Sequence, residues 1–152
     1  MGTLHKSSSY VQMQAEDILF RKGEDILSTK LEKNKKLYLA DNDFTYIQPD
    51  FYSEESNFIG EIFVHVGKPK KAQDNKITND ILKMLLFEKI KEKKFRKIIV
   101  ACDDAEYKKL KGQSVLAESI RQFDIEIVFI ELKESRRNKI IEAQGKQKKT
   151  NI

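Results

Sequence analysis

Apolar positions in the first third of the chain recur with the period of a helix. Met13, Phe20, Leu27 and Leu31 fall on one face, with Ile18, Leu19 and Ile26 beside them. Ser9 followed by Gln12 has the spacing of a capping box, so a helix is expected to open at Ser9. Glu16 and Glu24 lie on or beside the apolar stripe, four residues either side of Phe20. A carboxylate turned toward a core needs a partner. Each therefore reaches water or a lysine at the edge of the stripe, or else a metal site. Lys33, Asn34, Lys35 and Lys36 are expected to end the helix.

The period then changes. Leu37–Ala40 reads as a short strand, Asp41-Asn42-Asp43 as a turn, and Phe44–Gln48 and Asn57–Val66 as two further strands. Ser53-Glu54-Glu55-Ser56 is the polar turn between the last two, and Gly67 and Pro69 break the third. Residues 72–94 return to helical spacing, with Ile77, Ile81, Leu82, Leu85, Leu86 and Ile90 in a wide stripe. Ile98–Cys102 is a near-continuous apolar run, as in a strand covered on both faces. Asp103 or Asp104 can cap the next helix, which runs to about Phe123 with a kink near Gly112 and leads to a strand at Ile125–Ile130. Beyond Leu132 a few helical turns around Ile140 and Ile141 are expected to fray into GKQKKTNI. The order is α-β-β-β-α-β-α-β, its last two strands joined by a helical crossover and hence parallel. The expected fold is α/β, a mixed central sheet of about five strands flanked by helices.

Composition adds limits. A chain of 152 residues fits one domain, expected over residues 9–132, with 1–8 a flexible N-terminus and 133–152 a basic tail. No apolar run is long enough to span a bilayer, and MGTLHKSSSY lacks the apolar core of a signal peptide. The single Cys102 rules out an internal disulfide and fits a cytoplasmic location. The net charge of +5 is local: residues 133–152 carry seven basic side chains against two acidic ones. Such a tail attracts nucleic acid or acidic partners, or is simply a solvated end.

Candidate chemistry gathers between Phe44 and Lys76. With the turn centred between Glu54 and Glu55, Asp50 stands opposite Ile59, and Glu61 lies two positions on, roughly 7 Å along the strand. Alternation puts Glu61, Phe63 and His65 on one face. An aspartate and a glutamate converging there supply the hard oxygen ligands that Mg2+ or Mn2+ takes. An ion so held can activate water and stabilise charge on a phosphate, and a lysine beside it can orient the water or neutralise developing charge. His65 could bind metal, act as a base or hold a phosphate, or it could be a core histidine. Lys68, Lys70 and Lys71 precede a helix start, where phosphate is favoured, or form a solvated loop. Cys102 reads as a small buried hydrophobe. Gly60, Gly67 and Gly112 match no phosphate-binding glycine loop, which argues against a nucleotide-binding fold.

The element order, the Pro49-Asp50 pair and the acid at Glu61 resemble the restriction-endonuclease-like, or PD-(D/E)XK, nuclease superfamily, over roughly residues 9–102. The resemblance implies a metal-dependent nuclease, with DNA as the expected substrate and Mg2+ or Mn2+ held by Asp50 and Glu61. The superfamily places a lysine two residues after the second acid, and here that position is Phe63. Some members carry it on the following helix, which nominates Lys76, with Lys68 as the other candidate. Gln73 resembles a glutamine near the start of that helix. Many small nucleases of this kind act as dimers, so a homodimer is an open expectation. The displaced lysine leaves a second reading, a catalytically inactive nucleic-acid-binding or assembly module on the same fold.

Overall fold

A long helix, α1 (Thr3–Leu27), leads into four short strands, β1 (Glu32–Lys33), β2 (Leu37–Ala40), β3 (Asn42–Ile47) and β4 (Phe51–Ser53), and then β5 (Phe58–Phe63). Helix α2 (Lys71–Lys91), strand β6 (Arg96–Ala101), helices α3 (Asp104–Leu110) and α4 (Val115–Gln122), strand β7 (Ile125–Phe129) and helix α5 (Glu134–Thr150) complete the chain. The computed structural model describes residues 3–40 and 42–150, with side chains from 9 to 40 and from 44 to 145.

Five strands form one mixed sheet in the order β1-β4-β5-β6-β7. The β1/β4 and β4/β5 pairs are antiparallel, and the β5/β6 and β6/β7 pairs are parallel. Alternation along β5 sends Ile59 and Phe63 into a core with Ile77, Ile81, Met84 and Phe87 of α2. It sends Phe58 and Ile62 into a second core with Ala15 and Leu19 of α1 and Ile140 of α5. Helices thus cover both faces of an α/β sheet, as the apolar run through β6 requires. No helix among the described residues is long and apolar enough to cross a membrane.

Several boundaries differ from the sequence-based expectation. Helix α1 already runs from Thr3, which puts Ser9 inside it, and it stops at Leu27 rather than among Lys33–Lys36. There the chain turns through Ser28 in the left-handed region (φ 52°), and the Glu24 carboxylate accepts the Leu31 N–H at 2.8 Å. The expected meander of three strands is divided. Strands β2 and β3 pair only with each other, as a separate two-stranded sheet whose Leu37, Leu39 and Ile47 pack on the α2 side. The partner of β5 is instead β4, because Pro49 has no N–H to continue the β3 ladder and the chain starts a new strand after Asp50. The crossover helix is broken where a kink was expected, and Ser114 caps its second half by accepting the Ala117 N–H at 3.0 Å. The basic C-terminal segment is helix α5, docked on α1 through Arg136–Gln14 and, through Gln144, on both backbone groups of Val66.

Candidate metal centre

The strand register decides which side chains meet. Phe51 pairs with Gly60, Tyr52 with Ile59 and Ser53 with Phe58. Residues 54–57 make the turn, closed by the Ser56 N–H donating to Ser53 Oγ at 3.1 Å, with Asn57 left-handed at φ 58°. The turn therefore centres between Glu55 and Ser56, one residue later than expected. Continued by one position, this register sets Asp50 across from Glu61 rather than from Ile59. Gly60 makes the approach possible: a Cβ there would lie 2.0 Å from the Phe51 ring.

Asp50 is fixed from several sides. Its Oδ2 accepts the Ile62 N–H at 2.7 Å, and its carbonyl accepts the Asn34 N–H at 3.3 Å. The Glu61 carboxyl meets Asp50 at both its side chain and its backbone. Burial, then the Asp50 charge and then that of Asp80, push the Glu61 carboxyl up to about 10. Two carboxyls in contact share a proton when no cation is present, and a cation between them lets both ionise.

Two more acids face this pair. Glu16 of α1 is held above the usual carboxylate range by burial and then by Asp50, against the opposing effects of a Gln12 hydrogen bond, Lys76 and Lys33. Asp80 of α2 is raised by burial, with Lys76 and Lys83 opposing. Lys76, one helical turn before Asp80, is the cation that both acids feel. Its Nζ stands 5.9 Å from the centre of the Phe63 ring. Glu16 of α1 and Asp80 of α2 thus feel both the Asp50 and the Lys76 charge.

Among the described residues no three His, Cys, Asp or Glu side chains already form a metal cage. The Asp50–Glu61 pair nonetheless suits a hard divalent ion, because Mg2+ is commonly held by one or two carboxylates with water and phosphate oxygens completing its shell.

Other candidates lie elsewhere. Gln73 Oε1 accepts the Lys70 N–H at 3.0 Å, so its amide caps α2. His65 shares a face with Glu61 and stacks on Phe63, ring centroids 6.1 Å apart, but it is buried and its charged neighbours are Lys70, Asp103 and Lys109. Burial, followed by Lys70, lowers its pKa and favours neutral imidazole. Lys68, Lys70 and Lys71 are exposed around the start of α2. Cys102 is buried, donates to the carbonyls of Phe63 and His65 at 3.7 Å, and has its thiol pushed up to about 11 by burial. Of the two helical glutamates, Glu24 caps the α1 turn and Glu16 reaches the acids. Asp80 was not foreseen; its signal is the four-residue spacing from Lys76, which sets both on one side of α2.

No family model matches the sequence, and comparisons with curated proteins and with solved structures likewise find no match.

Proposed function

We propose that this protein is a metal-dependent nuclease of the PD-(D/E)XK type, hydrolysing nucleic-acid phosphodiesters, with DNA as the expected substrate. The observation that carries the reading is the Asp50–Glu61 pair with Lys76 stationed over Phe63. Lys76 of α2 would stand in for the lysine absent at position 63. Asp50 and Glu61 would hold Mg2+ or Mn2+, which when bound supplies an activated water and charge stabilisation on the phosphate. Asp50 is anchored by the Ile62 N–H and so keeps one carboxylate orientation. A cation held there would favour the ionised form of Glu61. Lys76 orients the attacking water by hydrogen bonding and neutralises charge that grows on the phosphate oxygens. Glu16 and Asp80 feel the Lys76 charge and would help to orient its ammonium. Lys68, Lys70 and Lys71 would bind backbone phosphates, contacts that position without specifying sequence.

The test is cleavage of duplex, single-stranded and branched DNA and of RNA, with Mg2+ or with chelator. Mg2+-dependent cleavage that disappears in Asp50→Ala and Glu61→Ala is expected; undiminished cleavage in both variants would sink the reading. One observation favours a second reading, an inactive nucleic-acid-binding module: the side chain at 63 is a buried phenylalanine of the core. That reading expects salt-sensitive binding indifferent to chelators and no cleavage of any of these substrates.

A further inference from the structure

At the other end of α2 a cavity of about 390 Å³ opens between the start of the β2–β3 hairpin and the last turns of the helix. Its floor is aromatic. Tyr52, Phe87 and Phe95 are buried against one another, with ring centroids 5.2 Å apart for the two phenylalanines and 6.0 and 6.3 Å from Tyr52. Its rim carries Lys35, Lys36, Lys91 and Lys93 against one carboxylate, Glu54.

Three of the four rim lysines are held by rings rather than by acids. Lys91 Nζ lies 5.7 Å from the Phe87 centroid, Lys93 Nζ 5.6 Å from that of Phe95, and Lys36 Nζ 5.0 Å from that of Tyr46. Lys35 lies 5.8 Å from the Tyr52 centroid and also pairs with Glu32 at 3.1 Å. Among the described residues the other three meet no carboxylate within ion-pair distance. An aromatic face attracts an ammonium without cancelling its charge, so the donors are steadied and left available to an anion.

The placement matters as much as the charge. Lys91 follows Asp80 by eleven residues and Lys76 by fifteen, which is about 20° and about 60° around the helix. The cavity therefore lies on the side of α2 that carries the carboxylates, about 22 Å along the axis from Lys76. That span is about six base-pair steps at roughly 3.4 Å each.

We propose that this cavity is a phosphate cradle for a nucleic-acid backbone that runs along α2 to the Asp50–Glu61 pair. The inference rests on nucleic acid being the ligand, as proposed above, and does not depend on cleavage.

The experiment measures binding of labelled duplex DNA in the presence of chelator, over a range of salt concentrations. Three proteins are compared: the wild type, K36Q/K91Q/K93Q, and a control of equal charge change at exposed positions away from the cavity, K30Q/K108Q/K111Q. The cavity variant should bind about tenfold or more weakly, and its slope of log affinity against log salt should fall by about two to three. The control should change less than about threefold, and thermal unfolding of both variants should match the wild type. Equal losses in the two variants would overturn the cradle, since charge alone would then explain them. So would an unchanged salt slope in the cavity variant, or a cavity that protects against unfolding with inorganic phosphate while its loss leaves DNA binding intact. A wild type that binds no nucleic acid fails differently, because it removes the functional reading itself.

Discussion

Replacing Glu61 by glutamine should make the metal-free protein more stable. The Glu61 carboxyl, ordinarily near 4.5, is pushed up to about 10 by burial and by Asp50 and Asp80. A carboxyl whose folded-state pKa is raised contributes stability that is complete below its unfolded value. That contribution is lost as pH climbs through the interval toward the folded value. Each pH unit above the unfolded value removes about 1.4 kcal/mol, so at pH 7 the loss is on the order of 3 kcal/mol. Glutamine keeps the shape and the hydrogen bonding to Asp50 but does not titrate. Urea unfolding in chelator should show Glu61→Gln gaining up to about 3 kcal/mol over the wild type at pH 7, and more at pH 8. Near pH 4 the two proteins should coincide. Saturating Mg2+ should stabilise the wild type and shrink or reverse the difference. A glutamine variant less stable than the wild type at pH 8 without metal would refute the reasoning, and so would a difference that does not vary with pH.

Removing the ammonium in Lys76→Ala should lower single-turnover cleavage by about 10²–10³-fold, the usual loss for a placed charge-stabilising group, while costing no more than about 1 kcal/mol of stability. Adding Phe63→Lys to that variant should restore part of the rate, and no recovery would count against Lys76 as the displaced lysine. Gln73→Ala should cost about 1 kcal/mol in thermal unfolding through loss of the α2 cap and leave the cleavage rate intact; a large drop in rate with unchanged stability would make Gln73 part of the chemistry instead. Lys97, only 2% exposed, donates to Glu88 Oε2 at 2.8 Å, so Lys97→Ala should cost about 1–3 kcal/mol in urea unfolding, Glu88 keeping its bond from the Phe95 N–H.

The architecture was legible because periodicity reports burial. The all-apolar run Ile98–Cys102 required helices on both faces, whereas the stripe expected on α2 was only partly right: Ile77 and Ile81 are buried with Met84 and Phe87, but Leu82, Leu86 and Ile90 are exposed. Pairing was harder to read. Leu37–Ala40 and Phe44–Gln48 alternate as sheet strands do, but alternation does not say which strand a strand will join, and the Pro49 break redirected the chain. Register was missed by one residue at the turn, because nothing in SEES announces that Asn57 will take the left-handed conformation. The error still left Asp50 and Glu61 as neighbours, since both lie on the strand side that meets α2. The supporting groups were mixed. Glu16 was visible as a charge on an apolar stripe, whereas Gln73, chosen for its position, spends its amide oxygen on the helix cap. His65 shares the correct face, but it lies four residues past Glu61, beyond the end of β5, where the charges it feels are Lys70, Asp103 and Lys109.

Divalent-ion binding tests the central claim most directly, because it needs no knowledge of the substrate. Titration of the protein with Mn2+, followed by the signal of the free ion, should reveal a site in the wild type. Its affinity should fall about tenfold or more in Asp50→Asn and in Glu61→Gln, as loss of either charged oxygen ligand would require, and hold in Lys76→Ala. Equal Mn2+ affinity in the wild type and both acid variants would contradict the account.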